Sequence, residues 1–235
     1  MEPDTEWAGG DYEKYSLERP DDRLGFIRKV YSILTVQLFI TAGLVAISAA
    51  SEDYQDFVYD NYWLVIVFAV LAIIVICVLF FVPHLHKKVP YNYILLFVFT
   101  ILEALTVSFV TAFYSPTTIL IAAGCTFGLT LSLTIYAFVT KTDFTKHYGI
   151  MIVLSFGLFV FGLLFFFVGY GDIYRLVFCP IAVVIYGIFL IYDTQLIVGE
   201  KRHKIGYDDY VLGAVALYVD IVGIFLYILA MFGEK

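Results

Sequence analysis

The fold of this chain is decided by two stretches of sequence, CPIAVVIYGIFLIYDTQLIV at residues 179–198 and YVLGAVALYVDIVGIFLYILAMF at residues 210–232. Each is apolar and reaches the roughly 20 residues that a helix needs to cross ~30 Å of hydrocarbon. Each also contains one aspartate, Asp193 in the first and Asp220 in the second. A carboxylate at the centre of a spanning helix costs about 2.5–3.5 kcal/mol on insertion scales, so it usually faces a cavity, a partner or an ion path. The two aspartates are therefore the first candidates for a functional site.

The composition of the whole chain agrees with a membrane protein. Of its 235 residues, 62% are hydrophobic and only 15% are charged, which is too little polar surface to cover a soluble domain. The three cysteines (Cys77, Cys125 and Cys179) all fall inside apolar segments, at spacings that suit neither a disulfide framework nor a metal site. We therefore predict an all-α membrane protein with no tightly bound cofactor.

Seven apolar segments are long enough to span a bilayer, and they predict a bundle of seven transmembrane helices. They cover residues 30–50, 62–82, 91–112, 117–139, 148–168, 173–198 and 210–232. The loops between them are short, so residues 23–235 are expected to form one transmembrane domain. Residues 1–22 are acidic and polar and are expected to form a disordered cytosolic tail. The N-terminus lacks the pattern of a cleavable signal peptide, so the first segment is expected to act as an uncleaved anchor.

The distribution of basic residues predicts the orientation. Of the 14 lysines and arginines, all but Arg175 and Lys235 fall on one side if the seven segments span. The loop opposite, SEDYQDFVYDN at residues 51–61, contains acids and no basic residue. The positive-inside rule therefore predicts a cytosolic N-terminus. The last segment contains Asp220 and two glycines, and the sequence leaves open whether it spans the membrane or re-enters it.

The two aspartates are predicted to lie close together. In the last segment, one helical face carries mostly small residues, which allow close helix packing in membranes and turn Asp220 inward (Gly213, Ala216, Asp220, Gly223 and Tyr227). The loop between the last two segments is short, so they are expected to be neighbours. Two adjacent carboxylates in a dry site tend to share one proton, and once deprotonated they form a hard oxygen site suited to Ca²⁺. A pH-sensitive calcium path is one interpretation. The alternative is that both acids are structural and accept hydrogen bonds from the hydroxyls of Tyr192, Thr194 and Tyr218.

A third acid, Glu103, lies in the middle of the third segment. Helical spacing places it on one stripe with Thr100, Thr106 and Val107, which is polar enough to face other helices. Glu103 is predicted either to line or brace an ion path or to serve as a hydrogen-bonded packing acid.

Enzymatic function is not supported by the motifs. Intramembrane aspartyl proteases carry Tyr-Asp in one helix and Gly-x-Gly-Asp in the next. This chain has Tyr192-Asp193, but Leu217 and Val219 stand where those glycines would be. Nucleotide-binding loops, zinc-protease motifs and nucleophile elbows are also absent from the sequence. We therefore expect neither catalysis nor nucleic-acid binding.

Four ordered motifs resemble those of the Lifeguard branch of the Bax inhibitor (transmembrane Bax inhibitor motif) family. They are IRKVYSIL at residues 27–34, HKKVPYNY at 86–93, IYDT at 191–194, and YDDY at 207–210 leading to LYVDI at 217–221. The resemblance extends from residue 22 to about residue 232. It implies a seven-helix bundle with the last helix at the centre, a pH-sensitive Ca²⁺ leak across an internal membrane, and suppression of cell death. It also implies that Asp193 and Asp220 are the pH sensor and a Ca²⁺ site, and that Glu103 is the acid typical of the third span.

One departure from the family concerns the group that holds the aspartates. Bacterial relatives use an arginine of the second helix as a latch, and residues 62–82 contain no arginine. A latch in this chain is therefore expected from Arg28, Lys29, Lys87, Lys88 or hydroxyl groups.

The leading hypothesis is a calcium leak protein of the endoplasmic reticulum or Golgi, with the plasma membrane and the vacuole as further locations. Its partners would be the lipid bilayer, Ca²⁺ and protons. The rival hypothesis is a non-conducting scaffold that binds membrane proteins of cell-death or stress signalling. A seven-span receptor is a third option, but the short loops disfavour it.

Overall fold

The computed structural model describes residues 20–82, 87–168, 171–199 and 205–233, and regular structure in these ranges is exclusively helical. The α-helices are α1 (Pro20–Ala50), α2 (Glu52–Asp60), α3 (Leu64–Phe81), α4 (Tyr91–Thr111), α5 (Pro116–Val139), α6 (Tyr148–Val168), α7 (Cys179–Val198) and α8 (Tyr210–Phe232). Short 3₁₀ turns at Phe144–His147 and Tyr207–Asp209 precede α6 and α8, and a π-helical turn at Tyr174–Phe178 precedes α7.

Seven of these helices are long and apolar enough to cross a membrane, which confirms the predicted all-α, seven-span class. The spanning segments are Arg23–Ala50, Leu64–Phe81, Tyr91–Thr111, Pro116–Val139, Phe144–Phe165, Tyr174–Val198 and Tyr210–Phe232. The largest difference from the sequence prediction is at the first, where α1 is one continuous helix from Pro20. The predicted tail therefore ends in helix at residues 20–22, and residues 1–19 lie outside the described part of the chain.

The acidic stretch after α1, predicted as a loop, is a helix. Ser51 is its N-cap, and the Ser51 side chain accepts a hydrogen bond from the Tyr54 amide at 3.2 Å. Glu52 and Asp53 occupy the first turn, where negative charge is favoured by the helix dipole. Val58, on the apolar face, is fully buried against α4. The loop therefore folds as a short amphipathic helix on the side of the bundle opposite the basic loops.

The last helix, α8, packs against α1, α4, α5 and α7, and its contact with α7 is the most extensive between any two described helices. It is an unbroken helix of 23 residues, which is long enough to span rather than re-enter. Gly213 allows close approach here, because a Cβ at this position would lie 3.3 Å from Ile197 of α7. The enclosure of α8 by all six other spans stays a prediction.

Buried polar contacts join α1 to its neighbours. The Gln37 amide donates to the Thr100 hydroxyl of α4 at 2.9 Å, and the Thr41 and Tyr218 hydroxyls lie 2.7 Å apart between α1 and α8. Ser48 donates to the Ser108 carbonyl of α4 at 2.9 Å. Hydrogen bonds between side chains on spanning helices satisfy groups that lipid cannot, and each adds about 0.6 kcal/mol on average. These contacts fix the register of α1 against α4 and α8.

The fifth span, α6, is held much more loosely than α7 or α8. Among the side chains of α6 that the structure describes, only Met151 and Leu158 are buried, and the main helical neighbour of α6 there is α7. A wide gap therefore separates α6 from the surface formed by α7 and α8, and this gap contains the candidate site.

Candidate functional site

Asp193 of α7 and Asp220 of α8 face each other across the most tightly packed helix pair, and their carboxyl groups interact directly. Asp220 is buried with 4% of its surface exposed, whereas Asp193 is partly buried. The Asp220 Oδ2 atom is buried and has no hydrogen-bond partner among the described residues. A buried acceptor without a partner costs free energy, so this oxygen is available to a proton, a water molecule or a cation.

Both carboxyl groups line a cleft of about 1020 Å³ between α6 and the α7–α8 surface. Tyr148 and Ser155 of α6 contribute hydroxyl groups to the same cleft, and most of the other lining residues are apolar. A site of this kind weakens the solvation of charge and strengthens the coupling between the two acids. The arrangement therefore favours sharing of one proton between them.

No charged group offsets the pair in the described structure. Neither acid forms an ion pair there, and neither accepts a hydrogen bond from a hydroxyl. The Tyr218 hydroxyl, which the structural alternative assigned to the acids, is paired with Thr41 instead. The described residues contain no cluster of three or more His, Cys, Asp or Glu side chains that could hold a metal ion. Two carboxylates supply fewer than the six to eight oxygens that Ca²⁺ takes, so water would complete its coordination.

Glu103 lies in a different cavity. It lines a space of about 960 Å³ near the other end of α7, together with Tyr62, Tyr114 and Arg175. The other residues of its stripe face inward, since Thr100, Thr106 and Val107 are all buried. The three predicted acids therefore divide into an aspartate cleft and a separate glutamate vestibule.

The four basic residues proposed as a latch have other neighbours. Arg28 is exposed, and the Lys29 ammonium lies 3.2 Å from the centroid of the Tyr210 ring. Lys87 forms an ion pair with Asp209 at 3.4 Å, and Lys88 lies 5.9 Å from the Tyr91 ring centroid. None of the four contacts Asp193 or Asp220 in this structure, and their role as a latch stays a prediction.

Three of the four sequence motifs meet at this end of the bundle. Lys29 comes from the first motif, Asn92 and Tyr93 from the second, and Tyr210 from the fourth. The Asn92 amide donates to the Tyr210 hydroxyl at 2.7 Å, and the Tyr93 and Tyr210 ring centroids are 5.9 Å apart. The cluster ties the start of α8 to α1 and α4, about three turns from Asp220 along the helix.

Arg23, which is not among the predicted site residues, makes three hydrogen bonds at the C-terminal end of α7. Its guanidinium donates to the carbonyls of Leu196 at 2.7 Å, Val198 at 3.2 Å and Ile205 at 2.8 Å. These carbonyls lie at or just beyond the C-terminus of α7, where a positive charge also complements the helix dipole. Arg23 therefore clamps α1 to the end of the helix that carries Asp193. We call this contact the Arg23 clamp.

Gly199 makes room for the clamp. It has φ = 74° and ends α7 in the left-handed conformation, and a Cβ there would lie 2.5 Å from the Arg23 Nε atom. Glycine adopts this conformation without the penalty that other residues incur. One signal in the sequence could have indicated Arg23: it precedes the buried Phe26 and Val30 by three and seven residues, on the same helical face.

The fold and the site define a class: a helical membrane protein of seven spans in which two aspartates line one cleft. Residues 23–235 match the family model described as Inhibitor of apoptosis-promoting Bax1. The chain is 33% identical over 213 residues to human protein lifeguard 3, which covers 89% of this chain and 68% of that protein. It is 34% identical over 243 residues to protein LIFEGUARD 4 of Arabidopsis thaliana, with 97% and 93% covered. The chain therefore belongs to the Bax inhibitor family, and the resemblance to its Lifeguard branch is confirmed.

This membership has a direct functional meaning at a coarse level. The chain is a multi-pass membrane protein of a family named for inhibition of cell death, and apoptosis regulation is its supported function. The family names describe regulators rather than enzymes.

Proposed function

We propose that this protein is a pH-sensitive Ca²⁺ leak pathway of an internal membrane, and that the leak underlies its cytoprotective role. The observation that carries the proposal is the pair Asp193 and Asp220: two interacting carboxyl groups, unmatched by a described cation, in a cleft between spanning helices. Burying an ionisable side chain within a membrane-spanning bundle costs free energy, and such side chains are usually functional. The proposed location is the endoplasmic reticulum or Golgi, with the N-terminus in the cytosol.

The direction of the pH effect follows from the charge of the site. When the two acids share a proton, the pair carries a single negative charge and one oxygen is occupied by hydrogen. When that proton leaves, both carboxylates offer oxygens to Ca²⁺. Ca²⁺ occupancy of the pair is therefore expected to rise as pH rises and to fall as protons compete at low pH. The small number of protein ligands gives weak binding, which a conduction site needs in order to release its ion.

Ca²⁺ flux into proteoliposomes at several pH values tests the proposal. Asp193→Asn and Asp220→Asn keep side-chain shape but remove the charge, and the double variant is expected to lose both the flux and its pH dependence. Asp208→Asn is the matched control, because Asp208 is an exposed acid outside the spanning segments. A double variant that conducts like the parent, with the same pH profile, would exclude the aspartate pair as the ion site.

A protein that carries no Ca²⁺ at any pH would favour the scaffold hypothesis instead. In that case, survival of stressed cells that express the double variant should match that of cells expressing the parent, because partner binding would not need the charges.

A further inference from the structure

Two cavities approach each other in the middle of the bundle, and the same side chains separate them. The aspartate cleft and the glutamate vestibule share only three lining residues, Tyr186 of α7 and Val219 and Tyr227 of α8. Every other residue belongs to one cavity alone, with Asp193 and Asp220 on one side and Glu103 and Arg175 on the other. These three side chains therefore form the wall between the two spaces.

The two tyrosines of the wall pack against each other. Their ring centroids are 5.7 Å apart with the planes tilted by 35°. Each ring is also supported from behind, Tyr186 by Phe189 with centroids 5.9 Å apart and Tyr227 by Phe178 with centroids 5.7 Å apart. Aromatic pairs with this spacing contribute favourable energy beyond the area they bury. The wall is thus a packed aromatic layer two rings thick.

Gly223 determines where the Tyr186 ring sits. A Cβ at residue 223 would lie 2.6 Å from Tyr186 Cε1 and 2.7 Å from Cδ1, a separation that real Cβ atoms essentially never show. The ring therefore occupies the space left by the missing side chain of α8. Tyr186 lines both cavities, so its side chain lies between the space that contains Asp220 and the space that contains Glu103.

We propose that Tyr186 and Tyr227 form the gate of the ion path, held shut by the seating of the Tyr186 ring on Gly223. The proposal rests on the proposed leak function. It adds an entry route, with cations collected in the vestibule of Glu103 and passed to the aspartate pair when the tyrosine rings separate. Movement of Tyr186 off Gly223 joins the two cavities into one continuous space. Val219, the third wall residue, is too small to block the space alone.

Flux measurements on ring variants test the gate. Tyr186→Ala removes the ring, and we expect the Ca²⁺ leak to rise about tenfold, which corresponds to a barrier lower by about 1.36 kcal/mol. Tyr186→Phe is the matched control, because it keeps the ring and loses only the hydroxyl, and its flux is expected to stay near that of the parent. Gly223→Ala should raise the leak in the same direction, since the new Cβ displaces the ring.

A labelling experiment gives a second measurement that does not depend on conduction. Ala216 lines the aspartate cleft but not the vestibule. In a background with Cys77, Cys125 and Cys179 replaced, Ala216→Cys is exposed to a membrane-impermeant thiol reagent from the face that carries α2. We expect slow labelling with the wall intact and with Tyr186→Phe, and about tenfold faster labelling with Tyr186→Ala, by the same change in barrier.

The outcomes separate the gate from the leak. If the parent conducts but Tyr186→Ala changes neither the flux nor the labelling, the gate is wrong and the leak function stands. If labelling accelerates in Tyr186→Ala while no variant conducts Ca²⁺, the aromatic barrier is supported and the leak function is overturned. Because Gly223→Ala introduces a clash, its flux is measured only if the purified variant is monodisperse. If Gly223→Ala does not fold, Tyr227→Ala is used in its place.

Discussion

Removal of the Arg23 clamp gives the sharpest test of how this bundle is held together. Arg23→Ala deletes the three hydrogen bonds described above from a residue that is 9% exposed, and it also deletes the contact between the Arg23 guanidinium and the Phe26 ring, whose centroid is 4.7 Å away. The Leu196, Val198 and Ile205 carbonyls lose Arg23 as a donor, and alanine supplies none in its place; the Leu196 carbonyl keeps its hydrogen bond from the Ile205 amide at 3.1 Å.

The magnitude follows from the number and kind of bonds. A hydrogen bond to a charged group contributes about 1.5–3 kcal/mol, but carbonyls at a helix end regain part of this from water. We take about 1 kcal/mol for each of the three, which gives about 3 kcal/mol in total. At about 2–4 °C for each kcal/mol in a chain of this size, the melting temperature should fall by about 6–12 °C.

Arg23→Ala is expected to lower the local stability of α7 as well as the stability of the whole protein. The last turn of α7 should open more often, and because 1.4 kcal/mol is a factor of ten, its amides should exchange about 10–100-fold faster if half or more of the energy is lost there. Hydrogen exchange of peptides that cover residues 190–199, together with thermal unfolding in detergent, measures both effects.

Arg28→Ala is the matched control, because it removes the same charge from an exposed site on the same helix. Arg23→Lys is a second control: a lysine keeps the charge, but it is a point donor without the planar fork and should restore only part of the stability. If Arg23→Ala melts within 2 °C of Arg28→Ala (a difference of about 1 kcal/mol or less) and leaves the exchange at the end of α7 unchanged, the clamp does not stabilise the bundle.

Two further substitutions probe the same end of α7. Gly199→Ala should lower the free energy of unfolding by about 1–3 kcal/mol, because φ is 74° and the new Cβ meets Arg23. Gly157→Ala is the control and should be neutral or stabilising, because its Cβ would meet nothing within 4 Å. Thermal unfolding compares the two variants, and equal melting temperatures would contradict the prediction. Gln195→Leu should cost about 2–4 kcal/mol, because Gln195 accepts from the Phe144 amide and donates to the Thr142 carbonyl, both at 2.9 Å. Gln195→Glu keeps the hydrogen bond from the Phe144 amide, so its melting temperature should fall between those of the parent and Gln195→Leu in the same assay. An unchanged melting temperature for Gln195→Leu would show that the two hydrogen bonds of Gln195 contribute nothing to stability.

The spanning helices could be predicted from the sequence because long apolar segments leave few alternatives in a bilayer. The ends of α4, α5, α6 and α8 lie within about two residues of the predicted ones, since caps and loops follow local rules. The helix α7 ends at the predicted residue but begins six residues later, because a π-helical turn occupies Tyr174–Phe178. The helix α2 was missed although its signal was present: Ser51 followed by two acids is an N-cap pattern, but the charge of the segment dominated the interpretation.

The site was only partly predictable, for a physical reason that differs between its parts. The approach of Asp193 and Asp220 follows from a short loop and a face of small residues, which are visible locally. Helical spacing from Phe26 and Val30 indicates that Arg23 faces inward, but no local signal indicates its acceptors, because they are main-chain carbonyls and every residue carries one. Tyr186 and Tyr227 were hidden for another reason, since the chain has 19 tyrosines and 23 phenylalanines and nothing in the sequence marks two of them.

The Arg23 clamp has a consequence for how the protein is made. Arg23 and Val198 are separated by 175 positions in the chain, so the arginine leaves the ribosome long before its acceptors do. Five further spans must enter the membrane before that guanidinium can bind its acceptors, and until then it is expected to be hydrated at the membrane surface. The first helix can therefore take its final position only after the sixth span has arrived. The contact between α1 and the end of α7 is therefore expected to form late in assembly, after most of the chain has entered the membrane.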